Sequence, residues 1–214
     1  MISLKKGILF DLDGTMWDSS ENVCLSYNLG LEQLGYSLRL TVDDVMGAMG
    51  KTMYDIAHIF FDCIDPEKAE SIMDYCTAVE NEYIKTHGGD IYNGLEQTLE
   101  RLHSDGWFVA CVSNCQCGYI EDFLEYSGLG HLFDDTECWG NTLKLKAYNI
   151  SLVAKRNSLD KVVYVGDTMG DYTSACEAGA EFIHASYGFG NVPDGTPAVS
   201  SLCEVPDLAN SLVE

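Results

Sequence analysis

Apolar residues along this chain gather in short runs near its two ends and in helical stripes between them. Ile8-Leu9-Phe10, preceded by Ile2 and Leu4, is too short a run for a helix and turns polar abruptly at Asp11, the pattern of a buried strand. From there to residue 87 the period changes to three and four. Ser19 or Ser20 can cap a helix through about Leu34, with Val23, Tyr27, Leu31 and Leu34 on one face and Gly35 as its stop. Thr41-Val42-Asp43-Asp44 carries a capping-box signal for a short helix ending near Met46-Gly47, and a third helix covers 52–61. Pro66 opens a longer helix with an apolar stripe of Ala69, Ile72, Met73, Cys76, Val79 and Tyr83, broken by His87-Gly88-Gly89. That stripe reads as the core of a helical bundle.

Beyond residue 88 the pattern alternates. Helix is predicted over 95–103, strand over 107–112, helix over 119–126 and 146–155, strand over 162–165, helix over 171–178 and strand over 181–184. Strand alternating with helix implies an α/β fold, a mostly parallel, Rossmann-like sheet with right-handed crossovers. The all-helical stretch then reads as an inserted cap: residues 1–16 and 88–214 form the core and 17–87 the cap, with hinges near Met16-Trp17 and at 88–93.

Composition narrows the function. At 214 residues, 46% hydrophobic, with no run of 18 apolar residues and no signal-like leader, the chain reads as a soluble, cytoplasmic protein, by default a monomer. Twelve basic residues against 34 acidic ones give a formal charge of -22, which disfavours nucleic acid and anionic membrane as partners. An anion site here must be built locally, from a metal, a lysine and backbone N–H groups. Nine scattered cysteines, an odd number, favour reduced thiols, and Cys111, Cys115 and Cys117 lack the spacing of a zinc site.

The candidate chemistry lies where strands end. Asp11 and Asp13 stand two apart after the first strand, on the same side of its end, where open α/β sheets bind ligands. Gly14 permits a tight turn, and Thr15 offers a hydroxyl and backbone N–H groups to an anion. Val162-Val163-Tyr164-Val165-Gly166-Asp167-Thr168-Met169-Gly170-Asp171 repeats the design: strand, acid, turn, second acid. Four carboxylates near one sheet edge imply a hard divalent cation, Mg2+ rather than zinc. Ser113-Asn114 closes another strand with uncharged donors suited to phosphoryl oxygens, and Lys144 and Lys146 both precede a helix from which an ammonium can neutralise carboxylate and phosphate.

At these residues the chain resembles the haloacid dehalogenase superfamily, in its phosphatase branch with a helical cap of the first type, similar to phosphoglycolate phosphatases and β-phosphoglucomutases. Asp11 to Thr15 match its DxDGT motif, Ser113 its Ser/Thr motif, and Gly166 to Asp171 its GDxxxD motif. The resemblance implies that Asp11 is the nucleophile and Asp13 the general acid/base, with Ser113 and Lys146 completing the catalytic set. Mg2+ would be held by Asp11, the backbone carbonyl of Asp13, Asp167 and Asp171. Lys146-Ala147 stands where the family usually has Lys-Pro, and Asn93-Gly94 replaces the frequent Pro-Gly at the cap's return.

The expected activity is Mg2+-dependent hydrolysis of a small phosphorylated metabolite, phosphoglycolate-like or a sugar phosphate, through an aspartyl-phosphate. The alternatives are a phosphomutase of the β-phosphoglucomutase type or a pyrophosphatase. Thr15, Asn114 and Lys51 are the expected substrate contacts; Lys51, in Met49-Gly50-Lys51-Thr52, resembles a basic cap-loop residue. Asp13 argues against dehalogenation, whose halide leaving group needs no proton.

Overall fold

The computed structural model describes residues 4–213. Ile2, read with the first strand, lies outside the described residues. A six-stranded parallel sheet has the order β5-β4-β1-β6-β7-β8, made of β1 (Lys6–Phe10), β4 (Phe108–Ser113), β5 (Asp135–Cys138), β6 (Lys161–Gly166), β7 (Glu181–Ala185) and β8 (Ala198–Val199). The first strand is central, paired with β4 through Ile8↔Val109 and with β6 through Ile8↔Val163.

Alternation along the strands builds a layer on each face. Ile8 and Phe10, with Val109, Val163 and Ile183, pack under α5 (Leu95–Ser104), α6 (Tyr119–Ser127) and α10 (Val205–Val213). On the other face Leu9, Ala110 and Tyr164 meet Ile150 and Val153 of α8 (Lys146–Arg156) and Ala175 of α9 (Met169–Ala178). A single turn, α7 (Trp139–Thr142), links β5 towards α8.

The helical insert leaves and rejoins the core through a two-stranded antiparallel ribbon, β2 (Trp17–Asp18) against β3 (Asp90–Ile91). Between them lie α1 (Ser20–Gln33), α2 (Val42–Ala48), α3 (Met53–Phe61) and α4 (Ala69–His87). Thr41 and Asp44 form the capping box read from the sequence, and Thr52 caps α3 by accepting from the Asp55 N–H.

Two local readings are corrected. Ser19 occupies the N-cap position of α1 but makes no cap hydrogen bond there; its hydroxyl goes to Asp13, and Asp18 accepts from the Ser20 N–H instead. In α4 the buried stripe is Ala69, Ile72, Met73, Cys76, Thr77, Glu80 and Ile84, while Val79 and Tyr83 are only partly covered. Packing against α1, α3 and α6 rotates this helix so that a carboxyl, Glu80, lies on its covered side. Leu34 is likewise exposed.

Candidate active site

Strand pairing continues one residue past β1. The Asp11 N–H donates to the Val165 carbonyl at 2.9 Å, and buried Phe10 and Leu12 anchor the backbone on either side. The chain then turns tightly, with the Met16 N–H on the Leu12 carbonyl at 2.8 Å and the Gly14 N–H on the Trp17 carbonyl at 2.9 Å. Gly14 has φ +79°, and a Cβ there would stand 2.3 Å from Asp167 Oδ2. Glycine is therefore required twice over, by conformation and by the approach of a carboxylate.

Asp11, Asp167 and Asp171 converge, each offering an oxygen within 4.8 Å of the others, and all three are buried. Lys146 enters from the first turn of α8, itself buried, with Nζ 3.0 Å from Asp11 Oδ1 and 2.5 Å from Asp171 Oδ1. The other oxygen of Asp171 is occupied as the cap of α9, accepting from the Thr168 N–H and hydroxyl at 2.9 and 2.7 Å. Asp167 Oδ2 accepts from the Phe189 N–H at 2.8 Å, so the segment around Tyr187-Gly188-Phe189 fixes this carboxylate.

One ammonium against three carboxylates leaves the cluster short of positive charge. Burial, then the neighbouring Asp171, pushes the Asp11 carboxyl up to about 7 against the pull of Lys146. Asp167 is pushed up to about 8, again by burial first and then by Asp171 and Asp11. Asp11 Oδ1 makes its ion-pair contact with Lys146 but no well-directed hydrogen bond. An all-oxygen donor set with excess negative charge and an unfilled buried acceptor fits a hard divalent cation.

Asp13 faces elsewhere. Its Oδ1 accepts from Ser19 Oγ at 2.6 Å, Trp17 Nε1 at 2.9 Å and the Tyr119 hydroxyl at 3.0 Å. The Asp13 carboxylate, one of the four counted from the sequence, is thus not part of the cluster, and its backbone carbonyl is the atom expected in the metal set. Burial raises the Asp13 carboxyl, opposed by the hydrogen bonds from Ser19, Tyr119 and Trp17. Sequence reasoning missed all three donors. Trp17 and Ser19 were close enough in the chain to be suspected, whereas Tyr119 comes from 106 residues away and carried no local signal.

The profile of haloacid dehalogenase-like hydrolases matches residues 8–185. The chain belongs to this family. With its aspartate cluster, membership makes the protein a phosphoric monoester hydrolase. Phosphoglycolate phosphatase of Aliivibrio fischeri is 28% identical over 216 residues, covering 92% of each chain. That of Vibrio cholerae is 27% identical over 194 residues, covering 86% of this chain and 85% of the relative. The crystal structure of a predicted phosphoglycolate phosphatase from Haemophilus somnus shares the fold, with a TM-score of 0.81 at 22% identity over 98% of this chain and 100% of that one.

The remaining expected residues of this haloacid dehalogenase-like hydrolase divide. Ser113, buried at the end of β4, lines the cavity between cap and core with Asp11 and Asp13. Lys144 is exposed, and Lys146 is the lysine that reaches the aspartates. Thr15 is fully buried, its hydroxyl directed to Asp167 Oδ1 at 3.4 Å rather than into the cavity. Asn114 Nδ2 donates to the Gly50 carbonyl at 2.8 Å, tying the core to the cap loop. Lys51 is exposed at the edge of the same cavity. Among the described residues, no helix is long and apolar enough to cross a membrane.

Proposed function

We propose that the protein hydrolyses a small organophosphate, of the size of phosphoglycolate or a sugar phosphate, through an aspartyl-phosphate on Asp11. The observation that carries this reading is the division of labour between the two aspartates after β1. Asp11 is held in the carboxylate cluster beside Lys146, and Asp13 is held apart by donors that all fall on one of its oxygens.

Asp11 attacks phosphorus and the bond to the ester oxygen breaks. The second oxygen of Asp13 delivers a proton to that leaving oxygen, a task suited to a carboxyl whose burial favours its protonated form. Asp13 then takes a proton from water as the water attacks the phosphoaspartate, releasing inorganic phosphate and restoring Asp11. Ser113 donates to a phosphoryl oxygen, and Lys146 offsets the charge that Asp11 and the phosphoryl group bring together. Asp11, Asp167, Asp171 and the Asp13 carbonyl would hold Mg2+, which when bound neutralises charge on the transferring phosphoryl group.

Two curated relatives named phosphoglycolate phosphatase, matched over most of their length, support the size class of the substrate. The test is phosphate release from a panel of phosphometabolites with Mg2+ and with a chelator. Turnover that depends on Mg2+ is expected, with Ca2+ a poor replacement because it favours more ligands at longer distances. Full activity after exhaustive chelation would refute the metal assignment.

A further inference from the structure

The cavity between cap and core has two unlike ends. At the core end are Asp11, Asp13 and Ser113. The cap end is walled by Val45, Met53, Ile56 and Phe60, with Tyr27 and Glu80 as its polar members. Glu80 is only 3% exposed. Its Oε2 accepts from Gln116 Nε2 at 2.9 Å, Gln116 Nε2 also donates to Asn81 Oδ1 at 2.9 Å, and Asn81 Nδ2 donates to the Cys117 carbonyl at 3.0 Å. A carboxyl that no step above uses is thus fixed across the seam between cap and core, on the cavity wall.

We propose that this wall selects the leaving group: it takes an uncharged, hydroxyl-bearing alcohol of a few non-hydrogen atoms, recognised by Glu80, and rejects an alcohol that carries a carboxylate. The inference rests on the phosphatase reading and specifies the half of the substrate that reading leaves open.

The charges lining the cavity favour this choice. Lys146 is engaged by Asp11 and Asp171, and Lys51, the other ammonium lining the cavity, is exposed on the loop between α2 and α3 rather than on the helix that carries Glu80. Glu80 itself reports how the cavity treats such a group. Burial first, then the charge of Asp13, pushes it up to about 8 in spite of hydrogen bonds from Tyr27 and Gln116. A ligand carboxylate beside it would meet the same burial, the same Asp13 and, in addition, Glu80. A hydroxyl carries no such penalty and pairs with Glu80 in either protonation state, because it both donates and accepts. The cavity, phosphoryl site included, holds about 40 Å³ with the cap in this position, which favours a small leaving group. A bulky leaving group would hold the cap open.

The test compares two ligands that differ only at the distal group, 3-hydroxypropylphosphonate and 3-phosphonopropionate, by calorimetry with Mg2+ on the full protein at about pH 9, where Glu80 is ionised. Their hydrolysable counterparts, 2-hydroxyethyl phosphate and 2-phosphoglycolate, are compared in kcat/KM. In the wild type the hydroxyl ligand should bind about tenfold or more tightly than the carboxylate ligand, since like charges placed together at a desolvated site cost at least that much. Glu80→Gln keeps the shape, removes the charge and should shrink the ratio about threefold or more. Equal or tighter binding of 3-phosphonopropionate to the wild type would overturn the proposal, as would a ratio unchanged in Glu80→Gln. The wild-type comparison needs no variant to fold. Binding also separates the two readings: if neither ester is hydrolysed the phosphatase reading falls, while the ratio of the phosphonates still decides the preference of the wall.

Discussion

Stability of the metal-free protein should fall as pH rises from 5 to 8, opposite to the trend set by ordinary paired carboxylates. Asp11 is raised to about 7, and Asp167 and Glu80 to about 8. In this window the folded chain keeps protons on these groups that the unfolded chain, with carboxyls near 4, has already released. The folded state therefore binds more protons, and unfolding becomes easier with each step up in pH. For Asp11 alone, a shift of about three units makes the change between pH 5 and 8 about 2.5 kcal/mol. Asp167 and Glu80 act in the same direction, so Asp11 alone sets a lower figure. With a urea slope of about 2 kcal/mol/M, the midpoint should drop by roughly 1 M. Chelated protein would be unfolded in urea at both pH values in about 0.5 M KCl, which screens the repulsion among exposed acids but little of that inside the cluster. Asp167→Asn should flatten the trend, and Mg2+ should stabilise most at pH 8, where its ligands are ionised. A midpoint that holds steady or rises from pH 5 to 8 in the chelated wild type would refute the description of an under-compensated buried cluster.

Asp11→Asn should reduce phosphate release to background with the fold intact by circular dichroism, and Asp13→Asn should cost about 10²- to 10⁴-fold; a fully active Asp11 variant would end the covalent scheme. Tyr119→Phe keeps the ring in the core and removes one donor to Asp13, so kcat/KM should fall about tenfold, the worth of about 1.4 kcal/mol, and unchanged kinetics would show that Ser19 and Trp17 suffice. Lys51→Ala should raise KM for the best physiological ester while sparing a small aryl phosphate. Equal losses on both substrates would assign Lys51 to cap closure, and no loss on either would return it to the solvated surface.

Signals carried by neighbours in the chain were readable from the sequence, and contacts made across the fold were not. The run Ile8-Leu9-Phe10 ending in Asp11 marked the central strand because burial on both faces demands continuous apolar residues. The edge strand Asp135–Cys138 gave no such mark: it is polar, and Arg156 pairs with its Asp135 and Glu137. Ser19 looked like a helix cap because propensity is local, yet its hydroxyl donates to the carboxylate of Asp13 and makes no cap hydrogen bond. Lys144 and Lys146 both preceded a helix and the resemblance favoured Lys146; the packing of α8 against α9 brings its ammonium to Asp11 and Asp171. Glu80 was hidden in an apolar stripe whose phase was misjudged by a fraction of a turn.

The ribbon of β2 and β3 bears on how the chain finds this fold. Strands β1 and β4 are neighbours, with Gly7 opposite Phe108, so their pairing must close a loop of about a hundred residues. Most of that loop is the four-helix insert, whose ends the pairing of Trp17 with Ile91 brings side by side. If the helices assemble first, the search for the β1–β4 register becomes that of a chain of roughly 30 residues, easing loop closure by about 1 kcal/mol. The element that covers the catalytic aspartates would then also act as a splint during folding, joining distant segments of the sheet before any strand of that sheet has paired.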